Sequence, residues 1–201
     1  ILLASVAICG AHTALAVDEV SEGALNAYQR PVPASTVAGQ SVTLLQDGRW
    51  LLLGGIERGM TSNSAALLEP SSGMRTTVSA RLARARAWHS ATVLSDGTVF
   101  VFGGTGTAGE EIASPEIFDA GTLSFRSLSD AGTPRSHHTA NLTMDGKVLL
   151  LGGRFWQEAE LWDPSKTTFA PSQDSLHAAR SDHTSVSLPS SPILVWGGVA
   201  P

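Results

Sequence analysis

The chain has 201 residues, of which 42% are hydrophobic, enough apolar material for the buried core of one mid-sized domain or two small ones. Charged residues make up 15% of the chain, and the formal net charge is −5. This composition excludes an intrinsically disordered chain, and it offers no basic surface that would neutralise phosphates. Nucleic acid is therefore not expected as a partner.

The first residues of the chain are almost wholly apolar or small. Residues 1–11 form a short hydrophobic run, and residues 14–16 have the small-x-small pattern that signal peptidase cleaves. We therefore expect residues 1–16 to be a signal peptide that lacks its first residues, and residues 17–36 to be a linker or an outer strand. A short buried element and acylation of Cys9 are the alternatives. After export the mature chain would have no cysteine and no membrane span.

Paired glycines divide the rest of the chain at regular intervals. They are separated by 49, 49 and 45 residues, and each pair follows an apolar run typical of a strand buried on both faces. The pairs are Gly54-Gly55, Gly103-Gly104, Gly152-Gly153 and Gly197-Gly198. Spacing of this kind predicts a structural repeat.

Each repeat predicts four antiparallel strands. An Asp-Gly pair such as Asp96-Gly97 precedes the paired glycines and predicts a two-residue hairpin turn in which both residues have positive φ. An upstream strand, residues 90–94 in this copy, completes the hairpin. Downstream, a third strand ends at residues 119–120 and a fourth short strand carries Phe125. The pattern predicts an all-β chain of propeller blades, with a β-sandwich as the alternative.

Arg-x-x-His, Asp-Gly, an apolar strand, Gly-Gly and aromatic-Asp-Pro recur in that order, and in this the chain resembles the kelch-repeat β-propellers of the galactose oxidase-like superfamily. The first copy departs from the pattern, because Val37 and Gln40 replace Arg and His. The resemblance implies an incomplete kelch-type propeller of the bacterial secreted type, with further blades or domains expected beyond Pro201. Three full four-stranded blades and half of a fourth are expected over residues 37–80, 81–130, 131–176 and 177–201.

The recurring Arg and His residues are predicted to be structural. A residue that recurs once per blade is best explained by a task needed once per blade, here hydrogen bonding between blades, whereas catalysis needs unlike groups in one place. The glycine pairs lack the helix and Lys of a phosphate loop and are predicted to shape the backbone. The recurring residues are Arg86, His89, Arg135, His138, Arg180 and His183. No catalytic residue, metal or cofactor is expected.

One side of the predicted blades carries the longer loops, namely the loops between second and third strands and the links between blades. We call this side the loop face, and binding residues usually lie on such loops. Its strongest candidates are Arg154, Phe155 and Trp156, because aromatic residues and Arg dominate binding hot spots. Covering of the blade edge is the alternative role for these residues. The secondary candidates are Glu57, Arg58, Trp88 and Arg86.

Two functions are compatible with these patterns. The first is a non-catalytic interaction module, secreted or held in the periplasm or at the cell surface, that binds a glycan or a protein through the loop face. The second is part of a galactose oxidase-like or other carbohydrate-modifying enzyme whose active site lies mostly outside this chain. The resemblance implies for that enzyme a copper ion held by Tyr and His, with one Tyr linked to Cys. Tyr28 is the only Tyr of this chain, and Cys9, its only Cys, lies in the expected signal peptide. The first function is preferred because no nucleophile–base pair or carboxylate pair stands apart from the repeats.

Overall fold

A computed structural model describes residues 37–188 and 192–200, and regular secondary structure in these ranges consists of β-strands only. The predicted signal peptide and linker lie outside the described residues. In chain order the strands are β1 (Ser41–Leu44), β2 (Trp50–Leu53), β3 (Ile56–Glu57), β4 (Met60–Thr61), β5 (Ala65–Leu68), β6 (Arg75–Val78), β7 (Ser90–Val93), β8 (Val99–Phe102), β9 (Glu116–Asp119), β10 (Ser124–Ser127), β11 (Thr139–Leu142), β12 (Val148–Leu151), β13 (Glu158–Asp163), β14 (Thr168–Ser175), β15 (Ser181–Ser187) and β16 (Ile193–Val199).

The strands form three antiparallel sheets of four, with the orders β1-β2-β5-β6, β7-β8-β9-β10 and β11-β12-β13-β14. A two-stranded sheet, β15-β16, and the small hairpin β3-β4 complete the described structure. The predicted all-β class and the four-stranded blade-like sheets are thus confirmed. Within residues 37–188 and 192–200 the sheets do not close into a ring.

Neighbouring sheets pack through their first and second strands. The first strands β1, β7, β11 and β15 contact one another in that order. In β8, Val99 and Val101 belong to the core shared with the first sheet, whereas Phe100 and Phe102 belong to the core shared with the third. Successive side chains of a strand point to opposite faces, so one apolar strand fills two interfaces. The Phe100 ring also stacks on Trp162 with centroids 4.0 Å apart.

The Asp-Gly turns differ from the prediction of a two-residue hairpin. In the second sheet the connection spans residues 94–98, with hydrogen bonds from Gly97 N–H to the Leu94 carbonyl (3.0 Å) and from Leu94 N–H to the Thr98 carbonyl (2.8 Å). Only the glycine has positive φ, at 85°. The Asp96 carboxylate accepts a hydrogen bond from the Thr98 N–H (3.0 Å), and this contact stabilises the turn conformation of Asp96. The prediction of positive φ at both residues was therefore wrong, because a longer connection needs only one left-handed residue.

A two-residue turn occurs instead in the hairpin β3-β4, a feature that the sequence analysis did not predict. Its central residues Arg58 and Gly59 have φ values of 53° and 78°. This hairpin lies in the connection between the second and third strands of the first sheet, and Thr61 Oγ1 donates a hydrogen bond to the Gly106 carbonyl of the next sheet (3.3 Å). The first loop is therefore tied to its neighbour.

The last sheet has an apolar surface that none of the described residues covers. Leu194 and Trp196 occupy in β16 the positions that Phe100 and Phe102 occupy in β8, and they are 52% and 47% exposed. Across the described ranges, no helix is long and apolar enough to cross a membrane.

Candidate functional site

Each recurring arginine joins two neighbouring sheets. The Arg86 carbonyl accepts a hydrogen bond from Gly55 N–H of the preceding sheet (2.9 Å), and its guanidinium donates to the Gly103 carbonyl (3.0 Å) and to Glu116 Oε1 (2.7 Å) of its own sheet. The same two contacts recur in the next two repeats. The Arg135 carbonyl accepts from Gly104 N–H and its guanidinium donates to the Gly152 carbonyl. The Arg180 carbonyl likewise accepts from Gly153 N–H, and its guanidinium donates to the Gly197 carbonyl.

Each recurring histidine spans the same interfaces through its side chain. Nε2 of His89 lies 2.8 Å from Ser41 Oγ of the preceding sheet, and His138 and His183 make the equivalent contacts with Ser90 and Thr139, both at 2.9 Å. Burial, followed by the nearby Arg86 charge, lowers the pKa of His89 to about 3. Burial also lowers the pKa of His138 and of His183. These imidazoles are therefore neutral at neutral pH.

The paired glycines allow this close packing. A Cβ on Gly152 would lie 2.7 Å from the Arg180 carbonyl oxygen and 2.7 Å from His183 Cε1, distances too short for any side chain. The second glycine of a pair faces its own sheet instead, since a Cβ on Gly198 would meet Ser181 and His183. Both glycines of a pair have positive φ, a conformation that glycine adopts without the cost a Cβ imposes.

The ion pair behind the recurring arginine was missed by the sequence analysis. Arg86 and Glu116 have side-chain exposures of 0% and 1%, and Glu160 is the equivalent partner of Arg135 at 3.3 Å. Arg86 therefore faces no solvent, and as a binding candidate it is withdrawn for that reason. The sequence did contain the signal, because each Glu stands three residues before the Asp that ends the third strand, in a repeat that begins with Arg.

The first sheet replaces both members of this ion pair by apolar residues. Val37 stands where Arg is expected, and Ala66 pairs with Leu52 in the register that Glu116 shares with Val101. Gln40 Nε2 donates to the Gly54 carbonyl there (3.2 Å), the contact that an arginine makes in the other sheets. Because the Arg and the Glu are both replaced, the first sheet contains no buried charge without a partner at this position.

The three strongest binding candidates are placed differently from one another. Trp156 is half-buried, its Nε1 donates to the Pro134 carbonyl (3.0 Å), and its ring lies 5.9 Å from the Arg135 guanidinium carbon. Phe155 is 66% exposed, and the exposed Arg154 places its guanidinium carbon 5.7 Å from the centre of that ring. Trp156 thus covers the sheet edge, whereas Arg154 and Phe155 face solvent.

The candidates in the first loop, Glu57 and Arg58, are exposed residues of the hairpin β3-β4. Glu57 Oε1 accepts a hydrogen bond from Ser64 Oγ (3.3 Å), a contact within the same loop. Both residues lie on the same side of the sheets as Phe155, because each follows the second strand of its sheet.

Trp88, the remaining candidate, belongs to a row of side chains that the structure brings together. The Trp88 ring stacks on the His137 ring with centroids 4.9 Å apart and an interplanar angle of 19°, and His137 Nδ1 lies 2.7 Å from Asp182 Oδ1. Each residue directly precedes the recurring His of its sheet. We call Trp88, His137 and Asp182 the inner row, since they lie at the start of the adjacent first strands.

Main-chain hydrogen bonds hold the inner row in register. Trp88 N–H donates to the Gly39 carbonyl (2.8 Å), His137 N–H to the Trp88 carbonyl (3.1 Å) and Asp182 N–H to the His137 carbonyl (3.1 Å). All three residues of the row have φ near 55°. This left-handed conformation is costly for residues with a Cβ, and Gly39 adopts it at the same position of the first sheet with a φ of 69°. The backbone position recurs, but the side chain at it differs in every sheet.

No known protein family and no curated protein matches the chain by sequence. Among residues 37–188 and 192–200, no group of three or more His, Cys, Asp or Glu side chains is placed to hold a metal ion. Tyr28 and Cys9 lie outside the described residues. The site is therefore defined by the geometry of the loop face alone.

Proposed function

We propose that the chain is part of an exported kelch-type β-propeller of bacterial type, and that it acts as a non-catalytic interaction module. The loop face is its binding surface, and a glycan or a protein is its ligand. Secretion, or location in the periplasm or at the cell surface, belongs to the same proposal.

The exposed Phe155 ring under the Arg154 guanidinium is the observation that carries this proposal. Phe155 is 66% exposed, so most of its apolar ring is in contact with water, and a ligand that covers the ring would gain the free energy of burying that surface. Arg and aromatic side chains are also the residues that most often dominate binding energy. The surrounding scaffold is rigid, because each sheet is tied to the next by the recurring Arg, His and Gly contacts. Variable loops on a rigid scaffold favour recognition.

The matched test compares two exposed apolar residues at opposite ends of the sheets. Phe155→Ala changes the loop face, and Met144→Ala changes a residue that is 82% exposed in a turn on the other side. The labelled chain and both variants are applied to a printed array of polysaccharides, and in parallel to fractionated exported proteins of the source organism. Trp156 is left unchanged, since its contacts are structural.

We expect Phe155→Ala to weaken binding of one ligand by roughly thirtyfold, the effect of a hot-spot residue worth about 2 kcal/mol. Met144→Ala should bind as the unchanged chain does. Ligands bound equally by both variants would place the binding surface elsewhere and overturn the proposal. Copper-dependent production of peroxide during oxidation of a sugar hydroxyl group would favour the enzymatic alternative over the interaction module.

A further inference from the structure

The last sheet has an edge without a neighbouring strand. In each of the first three sheets the second strand pairs on both sides, with the first strand and with the third. Its counterpart in the last sheet, β16, pairs only with β15 among the described residues. A strand edge of this kind presents unpaired backbone N–H and C=O groups, to which an extended chain can add by main-chain hydrogen bonds. The free edge of β16 is therefore a candidate docking surface for a strand.

Arg180 lies next to this edge and lacks the partner that the equivalent arginines have. The other two recurring arginines form ion pairs with Glu116 and Glu160, each from the third strand of its own sheet. Arg180 donates to the Gly197 carbonyl of β16 (3.2 Å), but within the described ranges it forms no ion pair with a carboxylate. The free edge therefore carries a guanidinium that can accept a carboxylate partner.

The strands β9 and β13 show which sequence fits such an edge. Each meets its arginine through the Glu carboxylate and through the carbonyl of the residue two positions before that Glu, Ser114 in one sheet (3.2 Å) and Glu158 in the other (3.3 Å). The residue two positions after the Glu is aromatic in both strands. These residues, Phe118 and Trp162, are buried in the core shared with the preceding sheet. The two strands thus have the pattern Glu-x-aromatic in common.

The register of such a strand on β16 follows from the same comparison. In the second sheet the Glu pairs with Val101 and the aromatic residue with Val99, and the third sheet repeats both pairs. Counted from the paired glycines, the corresponding positions in β16 are Val195 and Ile193. This register places the incoming Glu beside the unpaired guanidinium. It also places the aromatic ring against Leu149, which is partly exposed on the side of β12 that faces the last sheet.

The 201 residues contain no spare strand with this pattern. Glu-x-aromatic occurs twice in the sequence, in β9 and in β13, and each of these strands already pairs on both of its edges. A second copy of the chain offers only the same two strands, so it does not supply the missing one. We propose that the free edge of β16, together with Arg180, binds an antiparallel β-strand of a different polypeptide that has the pattern Glu-x-aromatic, with its Glu opposite Val195. This inference goes beyond the proposed function, because the surface is a sheet edge and not the loop face.

The test uses three peptides of the same length. The first has the sequence of residues 157–170, which covers β13 and the start of β14. The second carries Glu160→Gln, and the third carries Glu160→Gln together with Leu161→Glu, which keeps the charge but moves it to the other face of the strand. Each peptide is acetylated, amidated and labelled with fluorescein, and fluorescence anisotropy measures its binding to the full chain.

We expect saturable binding of the first peptide and at least tenfold weaker binding of the second and third. The reason is that a hydrogen bond between charged groups is lost in both altered peptides, while their main-chain contacts with β16 remain. The third peptide has the same net charge as the first, so its weaker binding would separate pairing in register from a general attraction between opposite charges.

Chain variants assign the effect to Arg180. Arg180→Gln should weaken the first peptide about tenfold and leave the Glu160→Gln peptide unchanged, since the two changes remove the same ion pair. Arg126→Gln, at an exposed arginine of β10, is the matched control and should bind all three peptides as the unchanged chain does. The melting temperature of each variant shows that it is folded, and the comparison of the three peptides on the unchanged chain needs neither variant.

Three results would each overturn the inference: no saturable binding of the first peptide, equal affinity for the first and third peptides, or an unchanged affinity of the first peptide in Arg180→Gln. The protein isolated from its source gives a fourth result. If it does not bind a peptide that the 201-residue chain binds, a strand of the same polypeptide occupies the edge, and a different polypeptide is excluded. The loop-face proposal fails separately, through Phe155→Ala on the polysaccharide array or the exported proteins.

Discussion

The buried ion pair between Arg86 and Glu116 provides a sharp test of how the sheets are held together. Removing one partner leaves the other charged, desolvated and unpaired, since the two side chains are 0% and 1% exposed. Burial already lowers the pKa of Arg86, and only the Glu116 carboxylate and its hydrogen bond oppose that effect. We therefore expect Arg86→Met alone or Glu116→Leu alone to reduce the free energy of unfolding by about 3–5 kcal/mol.

The double variant, with both replacements, should lose about 2–3 kcal/mol less than the sum of the single variants. The reason is present in the chain itself, since the first sheet has Val37 and Ala66 at these two positions. Some loss remains, because the Gly103 carbonyl no longer receives the guanidinium hydrogen bond. Urea unfolding followed by tryptophan fluorescence gives all four free energies of the cycle.

Additive losses, equal to the sum within about 0.5 kcal/mol, would refute this reasoning. They would mean that the two charges do not compensate each other in the folded chain. The exposed pair Arg84–Glu110 is the matched control. Solvent screens that pair, so a cycle built from Arg84→Met and Glu110→Gln should show no coupling that can be measured.

Three further predictions follow from the packing. Gly152→Ala should lower the melting temperature more than Gly73→Ala, because both residues have positive φ but only the first would place its Cβ against the next sheet; equal losses would contradict this. The urea midpoint should fall between pH 7 and pH 5, since the folded pKa of His89, about 3, lies below its unfolded value of 6.5. Below pH 6.5 the unfolded chain binds a proton that the buried imidazole does not, so each such histidine lowers the free energy of unfolding by about 1.4 kcal/mol per pH unit as the pH drops towards 3. A midpoint that does not change with pH would refute this prediction. Phe155→Ala should leave the melting temperature unchanged, because the ring is exposed; a clear loss would assign it a structural role.

Local patterns were sufficient to predict the strands. The apolar runs before the glycine pairs became β2, β8, β12 and β16, and the Asp-Gly dipeptides became hairpin connections. These features depend on hydrophobic alternation and on residues that tolerate positive φ, which act within a few positions of the chain. The turn type was not predicted. The Asp96 carboxylate binds the Thr98 N–H and favours a longer turn than the two-residue turn expected from the Asp-Gly dipeptide alone.

The same limit applies to the candidate site. The sequence predicted Phe155 and Trp156 together as exposed loop residues. In the structure Pro134 and Arg135 contact Trp156 and partly bury it, whereas Phe155 stays exposed. Arg86 looked available for the same reason, and it proved to be fully buried by groups some 30 positions away in the chain, such as Glu116. Burial depends on partners that are distant in sequence, so periodicity alone does not predict it.

By itself the sequence determined the repeat, the all-β class and the recurring residues that join the sheets, because each of these is written as a pattern that returns about every 50 residues. The inner row was decided only by the tertiary structure. Trp88, His137 and Asp182 are separated by 49 and 45 residues and share no residue type. They meet because three first strands pack side by side and their amides bond from one sheet to the next, so that unlike side chains converge on one place.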